Sequence, residues 1–389
     1  MSRVAVLLSL LLSLLLSLLG SLTASAAEPR ARDLGVPFDG TPGPLNAITD
    51  VGGVTVGQVT LLEDLPEGRK VRTGVTAILP RGLDSVNVPT FAGWFALNGA
   101  GEMTGTAWVD ESGQLEVPVM ITNTHSVGVV HDATIAWRVK YGPPDPSGYW
   151  WSSPVVAETW DGDLNDINGF HVRPEHAMRA LDEARGGPVE EGNVGGGTGM
   201  KCHDFKCGIG TSSRVVNLDE AHYTVGVLVQ ANYGAREDLR IAGVPVGQNL
   251  PLEVDANRPK DRNGSIIIVV ATDAPLLATQ VRRLAKRATL GLGRMGDVAY
   301  NGSGDIFIAF STANHDALTG KDISQATFLR NDALNPLLQA SAQATEEAIV
   351  NSMVAARDMV GTEGHSAKAL PHDALVALLR RYNRYTPPH

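Results

Sequence analysis

Cysteine is nearly missing from this 389-residue chain, which carries only Cys202 and Cys207. That scarcity excludes the disulfide framework of small secreted domains. It also excludes a zinc finger, because two Cys and the neighbouring His203 within six residues lack the paired ligand spacing. The two cysteines can close one small loop or stay as thiols. Charge is sparse as well, with 19% charged residues and a formal net charge of −10. No basic patch speaks for a nucleic-acid partner. Long apolar runs are confined to the first two dozen residues, and no later segment approaches the ~18 residues of a spanning helix. The glycine run Gly192-Asn193-Val194-Gly195-Gly196-Gly197-Thr198-Gly199 has neither a Gly-Lys-Ser/Thr ending nor a Gly-x-Gly-x-x-Gly opening a helix. It reads as a tight turn, and nothing in the chain calls for a cofactor or a metal.

What is present begins with a leader. Arg3, the apolar run Val4 to Leu19 and the small residues Ala24-Ser25-Ala26 form a secretory signal, residues 1–26, cut after Ala26 or Ala27. The mature protein is therefore expected in the periplasm or the medium, with no membrane attachment once the leader is gone. Forty-two glycines and twenty-two prolines without a period indicate many turns. The remaining length can bury a large core, as one large or two ordinary domains.

Residues 28 to 46 form a polar, Pro-rich lead expected to pack loosely. Ile48 to Leu61, around Gly52-Gly53, reads as strands, and Thr73 to Pro80, Phe91 to Glu102 and Val117 to His125 continue the β pattern. Helices are expected over Val127 to Lys140 and Pro174 to Arg185, with the strand Pro154 to Thr159 and an acidic turn between them. Tyr223 to Ala231 is a further strand. After it comes a linker with Pro245, Pro251 and Pro259. A basic amphipathic helix over Leu276 to Leu290 presents Arg282, Arg283, Lys286 and Arg287 as a solvated face. The strand Ile306 to Ser311 and long helices at Pro336 to Met359 and Asp373 to Tyr382 end the chain.

The chain is organised around Asn263-Gly264-Ser265, which opens the unbroken β-branched run Ile266 to Val270. Asn-Gly tolerates the positive φ of a type I′ turn, so a plain hairpin turn is one reading. The other is a self-cleavage point. Gly264, lacking a Cβ, leaves its carbonyl open to attack and can hold a conformation other residues resist. Ser265 supplies a hydroxyl nucleophile. An N→O acyl shift followed by hydrolysis would free the α-amine of Ser265. With a reference pKa near 7.7–8.0, that amine could serve as the base for its own hydroxyl.

Five motifs stand in order along the chain: the 192–200 glycine run, Gly208-Ile209-Gly210-Thr211-Ser212-Ser213-Arg214, Val229-Gln230-Ala231-Asn232-Tyr233-Gly234, Asn263-Gly264-Ser265-Ile266-Ile267 and Asn301-Gly302-Ser303-Gly304-Asp305. Together they resemble the L-aminopeptidase/D-esterase family, which includes the β-peptidyl aminopeptidases. The resemblance implies a single self-processing hydrolase domain, residues 27–389, split into an α chain of residues 27–264 and a β chain of residues 265–389. It also implies a four-layer α/β/β/α sandwich with two central sheets, similar to the ornithine acetyltransferases, and self-association as a tetramer of α/β heterodimers.

Carried onto this sequence, Ser265 is nucleophile and base, Asn232 the oxyanion donor, and Ser303 and Asp305 the groups that orient the amine. Glu158 is the carboxylate for the substrate's ammonium. Trp160 stands where the resemblance places an oxyanion-assisting tyrosine. An indole N–H donates but cannot accept, so the assisting role falls to Trp160 as donor or to another residue such as Tyr149. Cys207 stands in place of an expected glycine, which marks a local disulfide with Cys202. The activity implied is removal of N-terminal residues from short peptides, amides or esters bearing a free amine. An acyltransferase on the same fold, in which an amine takes the acyl group, is the nearest alternative, although the ornithine acetyltransferases use threonine at the cleavage point. A non-catalytic secreted binding protein is the alternative of another class. The four His-Asp pairs (at His131, His203, His315 and His372) are not read as triads, since adjacent strand residues face opposite ways.

Overall fold

The computed structural model describes residues 29–142, 151–219, 221–250, 264–319 and 322–388. The leader, Tyr149, Asn263 and residues 251–262 of the Pro-rich linker lie outside them. In chain order the described strands and helices are β1 (Thr55–Asp64), β2 (Lys70–Leu83), β3 (Thr90–Gly99), α1 (Thr106–Ser112), β4 (Gln114–Leu115), β5 (Val119–Asn123), α2 (Val127–Tyr141), β6 (Val155–Thr159) and α3 (Pro174–Asp182). They continue as β7 (Lys201–Cys202), β8 (Phe205–Lys206), β9 (Ile209–Leu218), β10 (Ala221–Asn232), α4 (Val246–Asn249), β11 (Gly264–Thr272), α5 (Ala278–Arg294), β12 (Ser303–Ser311), α6 (Asn335–Val354), the two-residue pair Met359–Val360 and Ser366–Ala367, and α7 (His372–Arg381).

Two sheets form the centre. One has the order β1-β2-β5-β6 and the other β4-β3-β12-β11-β10-β9. Both are mixed, antiparallel except where β5 meets β6 and β11 meets β12. Strand alternation sorts the apolar side chains into three layers. Ile267, Val269 and Ala271 of β11 face Ile78, Ile121 and Ala157 of the smaller sheet. Ile266, Ile268 and Val270, one step along, pack outward against Val281, Leu284 and Ala285 of α5 and Ala344 and Ala348 of α6. On the far side, Val75, Ala77 and Met120 meet Val130 and Trp137 of α2 and Ala177 and Leu181 of α3. This is an α/β/β/α sandwich. The unbroken run Ile266 to Val270 has no polar face because both of its faces are covered.

Several local expectations change. Ile48–Asp50 is a 3-10 turn, and the strand starts only at Thr55, after Gly53 takes a left-handed φ of 90°. The lead is not loose. Arg30 donates to Glu191 and to the Thr211 carbonyl (2.6 Å), the Ala31 N–H to Asn351 (3.0 Å), and Arg32 to Glu347 (2.7 Å). Glu347 is fully buried and also meets Arg214 at 2.7 Å, so the lead supplies part of its charge compensation. The helix α6 ends at Val354, five residues earlier than its pattern suggested, where the Ala355 carbonyl turns against Gly192 and leaves no room for a Cβ there (2.5 Å).

Candidate active site

Ser265 sits at the open end of β11, and its neighbours follow from register. Asn232, the last residue of β10, lies directly across from it, and Gly304 of the parallel strand β12 lies on the other side. The Ser265 hydroxyl is buried, 3% exposed, and its Oγ accepts the Trp160 N–H at 3.3 Å. A donor aimed at Oγ favours that oxygen as its proton leaves. Asn232 donates from Nδ2 to the Trp160 carbonyl (2.7 Å) and accepts the Lys201 N–H at Oδ1 (2.9 Å). The amide is held at two corners, with its second N–H left for the cavity.

The need for glycine at 264 is spatial. A Cβ there would lie 2.8 Å from the Tyr233 Cα and 2.9 Å from the Asn232 carbonyl, and its φ is not left-handed. The expectation of an unusual backbone conformation is thus replaced by one of close approach.

Glu158, at the end of β6, is 4% exposed and lines the same cavity of about 660 Å³ as Ser265, Asn232, Trp160 and Lys201. The loop 100–102 reaches it by crossing Gly304 so closely that a Cβ on Gly304 would stand 2.8 Å from the Ala100 carbonyl. The Glu102 N–H then donates to Glu158 Oε1 at 2.9 Å, and the Thr124 hydroxyl donates to Oε2. Burial raises the carboxyl above its usual range, against the pull of Thr124 and the Glu102 N–H. A cation arriving in the cavity would relieve that burial.

Ser303 and Asp305 pair with each other, Oγ to Oδ1 at 2.7 Å. Register sets Ser303 beside Gly264 and Asp305 beside Ile266, so the two bracket the Gly264–Ser265 peptide. By alternation their side chains fall on the helix-side face shared with Phe307, opposite to the face of the Ser265 hydroxyl. Asp305 Oδ2 is buried with no hydrogen-bond partner among the described residues, and burial lifts the carboxyl to about 7. Cys202 and Cys207 form a disulfide. Trp160 contributes through its backbone, while its ring, 45% exposed, lies over Gly162 at the cavity wall.

Sequence reasoning missed the donors that hold these groups. Thr124, the Glu102 N–H and the Lys201 N–H have no motif of their own, because a backbone N–H carries no residue identity. Asp161, in the acidic turn after β6, has no motif either. Asp161 is fully buried among the neutral side chains Thr73, Asn123 and Asn165, and burial lifts its carboxyl to about 7. Between the unfolded value near 4 and 7 the folded state holds the extra proton, so stability from this group is greatest below pH 4 and falls as pH rises through 7. Asp161→Asn is expected to remove up to about 4 kcal/mol of that pH-dependent loss. Urea unfolding at pH 4.5 and 7.5 measures it.

The chain's residues 46–367 match the model of peptidase family S58. The chain belongs to that family. As an S58 member it is a serine aminopeptidase on an Ntn-hydrolase fold. It is 54% identical over 378 residues to the β-peptidyl aminopeptidase BapA of Sphingosinicella microcystinivorans, covering 93% of this chain and 94% of the relative. The L-aminopeptidase D-Ala-esterase/amidase of Ochrobactrum anthropi superposes with a TM-score of 0.85 at 47% identity, over 92% of this chain and all of the other. A β-aminopeptidase of Burkholderia sp. gives a TM-score of 0.82 at 47% identity, covering 91% and 99%.

Proposed function

We propose that this S58 peptidase is exported, cleaves itself between Gly264 and Ser265, and then removes N-terminal residues from short peptides, amides or esters through an acyl-enzyme on Ser265. The observation that carries the proposal is the placement of Ser265 and Asn232 at facing strand ends, in one cavity with a buried carboxylate whose oxygens already take two donors.

In the first step Ser265 Oγ attacks the Gly264 carbonyl. The acyl group moves from nitrogen to oxygen, and water hydrolyses the ester. This leaves residues 27–264 and 265–389 as two chains of one domain, with Ser265 carrying a free amine beside Ser303 and Asp305. In turnover that amine takes the Oγ proton as Oγ attacks the substrate carbonyl, and the oxyanion accepts from Asn232 Nδ2. The amine's proton passes to the leaving group, which departs with it, and water then releases the acyl group. Glu158 pairs with the substrate's ammonium, which restricts the enzyme to free amino ends, because a blocked end leaves a buried carboxylate unpaired. Since its relatives include β-peptidyl aminopeptidases, β-residues are among the proposed substrates. A tetramer of processed heterodimers completes the proposal.

Intact mass and N-terminal sequencing of purified protein test it. Two chains are expected, one beginning at Ala27 or Glu28 and one at Ser265-Ile266-Ile267. A single chain that stays intact on long incubation would overturn self-processing.

A further inference from the structure

The hairpin β7–β8 is built in an unusual way. Its two turn residues, His203 and Asp204, both have left-handed φ, 46° and 66°, and neither is glycine. Non-glycine residues hold that conformation where their surroundings over-determine it. Here the surroundings are explicit. The Cys202–Cys207 disulfide closes the hairpin. Fully buried Lys206 turns Nζ back to the carbonyls of Met200 (2.8 Å) and Cys207. The His203 N–H donates to the Tyr233 carbonyl at 2.8 Å, and the imidazole Nδ1 meets the Ala235 carbonyl at 2.8 Å. The hairpin is therefore fastened to the chain that immediately follows Asn232.

Among the other bonds that leave it is one from the Lys201 N–H to Asn232 Oδ1. An asparagine amide can sit in either of two senses, flipped by a half-turn. The Trp160 carbonyl can only accept and the Lys201 N–H can only donate, so together they admit one sense. In that sense Asn232 offers the cavity an N–H. In the other it would offer an oxygen, an acceptor facing a developing negative charge.

We infer that the disulfide-closed hairpin is a positioning element for the oxyanion donor, acting through the Lys201 N–H to fix the sense of the Asn232 amide. This rests on the proposed role of Asn232, and the test separates the two. Lys201→Pro removes the N–H in an extended segment, Lys201→Ala keeps it, and Cys202→Ala with Cys207→Ala opens the hairpin. Each is made in the wild-type and the Asn232→Ala background, and kcat and KM for a free-amine anilide are normalised to processed protein. Asn232→Ala alone should lower kcat about a hundredfold. Lys201→Pro should lie about tenfold below Lys201→Ala in kcat with KM little changed, and the double-cysteine variant should fall in the same direction. In the Asn232→Ala background these further losses should vanish. Losses that persist there would show a scaffold role only and overturn the inference, as would a Lys201→Pro rate equal to that of Lys201→Ala. If Lys201→Pro fails to fold, the double-cysteine cycle decides alone. Full activity of Asn232→Ala would instead sink the oxyanion role of Asn232.

Discussion

Ser265→Ala should leave one unprocessed chain and lower turnover at least about 10⁴-fold, the scale seen when the nucleophile of a serine hydrolase is removed. The substitution deletes one buried oxygen in a site whose walls are strand backbone, so the fold should survive it. The Trp160 N–H loses its partner, a cost of about 1–3 kcal/mol that lowers stability without moving the chain. Both effects have one origin, because the same Oγ would attack Gly264 once and substrates repeatedly, and because an uncut chain has no α-amine to act as base. Denaturing electrophoresis, intact mass and initial rates measure the two together. Normal turnover by the variant would remove Ser265 from the mechanism, and normal cleavage with no turnover would separate processing from catalysis.

Legibility from sequence followed residue identity. Ile266 to Val270 announce a strand with both faces covered, and the structure gives them two apolar layers. Ser265 and Asn232 stand within recognisable motifs, Glu158 and Trp160 were placed by resemblance with Trp160 in place of a tyrosine, and all four line one cavity. What stayed hidden depends on contacts distant along the chain. The lead looks loose because Arg30 and Arg32 are polar, yet their partners Glu191 and Glu347 lie 161 and 315 residues away. Asp161 looks like a surface turn residue until Thr73, Asn123 and Asn165 surround it. The loop over Gly304 shows the same limit. Its glycines are visible in sequence, but the close crossing that delivers the Glu102 N–H to Glu158 requires two sheets to be assembled first.

Glu158→Gln should spare self-cleavage and lower kcat/KM for free-amine substrates by about 4 kcal/mol, roughly a thousandfold, because it removes one member of a buried charge pair. Gln is nearly the same shape. Its carbonyl can keep the Glu102 N–H, and its NH₂ can donate to Thr124, whose hydroxyl also accepts, so the loss should fall on substrate binding. Two signatures go beyond weakened binding. Discrimination against N-acylated substrates should collapse, since a neutral amide no longer strands a buried charge when the ammonium is absent. The acid limb of the pH profile should also change. In the wild type, burial holds the Glu158 carboxyl above the usual carboxylate range, so falling pH protonates it early and activity is lost on that side. Glutamine has no proton to gain, so the Glu158 contribution should drop out of the acid limb of kcat/KM and leave the limb set by protonation of the Ser265 amine. Rates for a free-amine anilide and its N-acetyl analogue across the acid range test both. Retention of full free-amine preference by the variant would assign ammonium recognition to another group in the cavity.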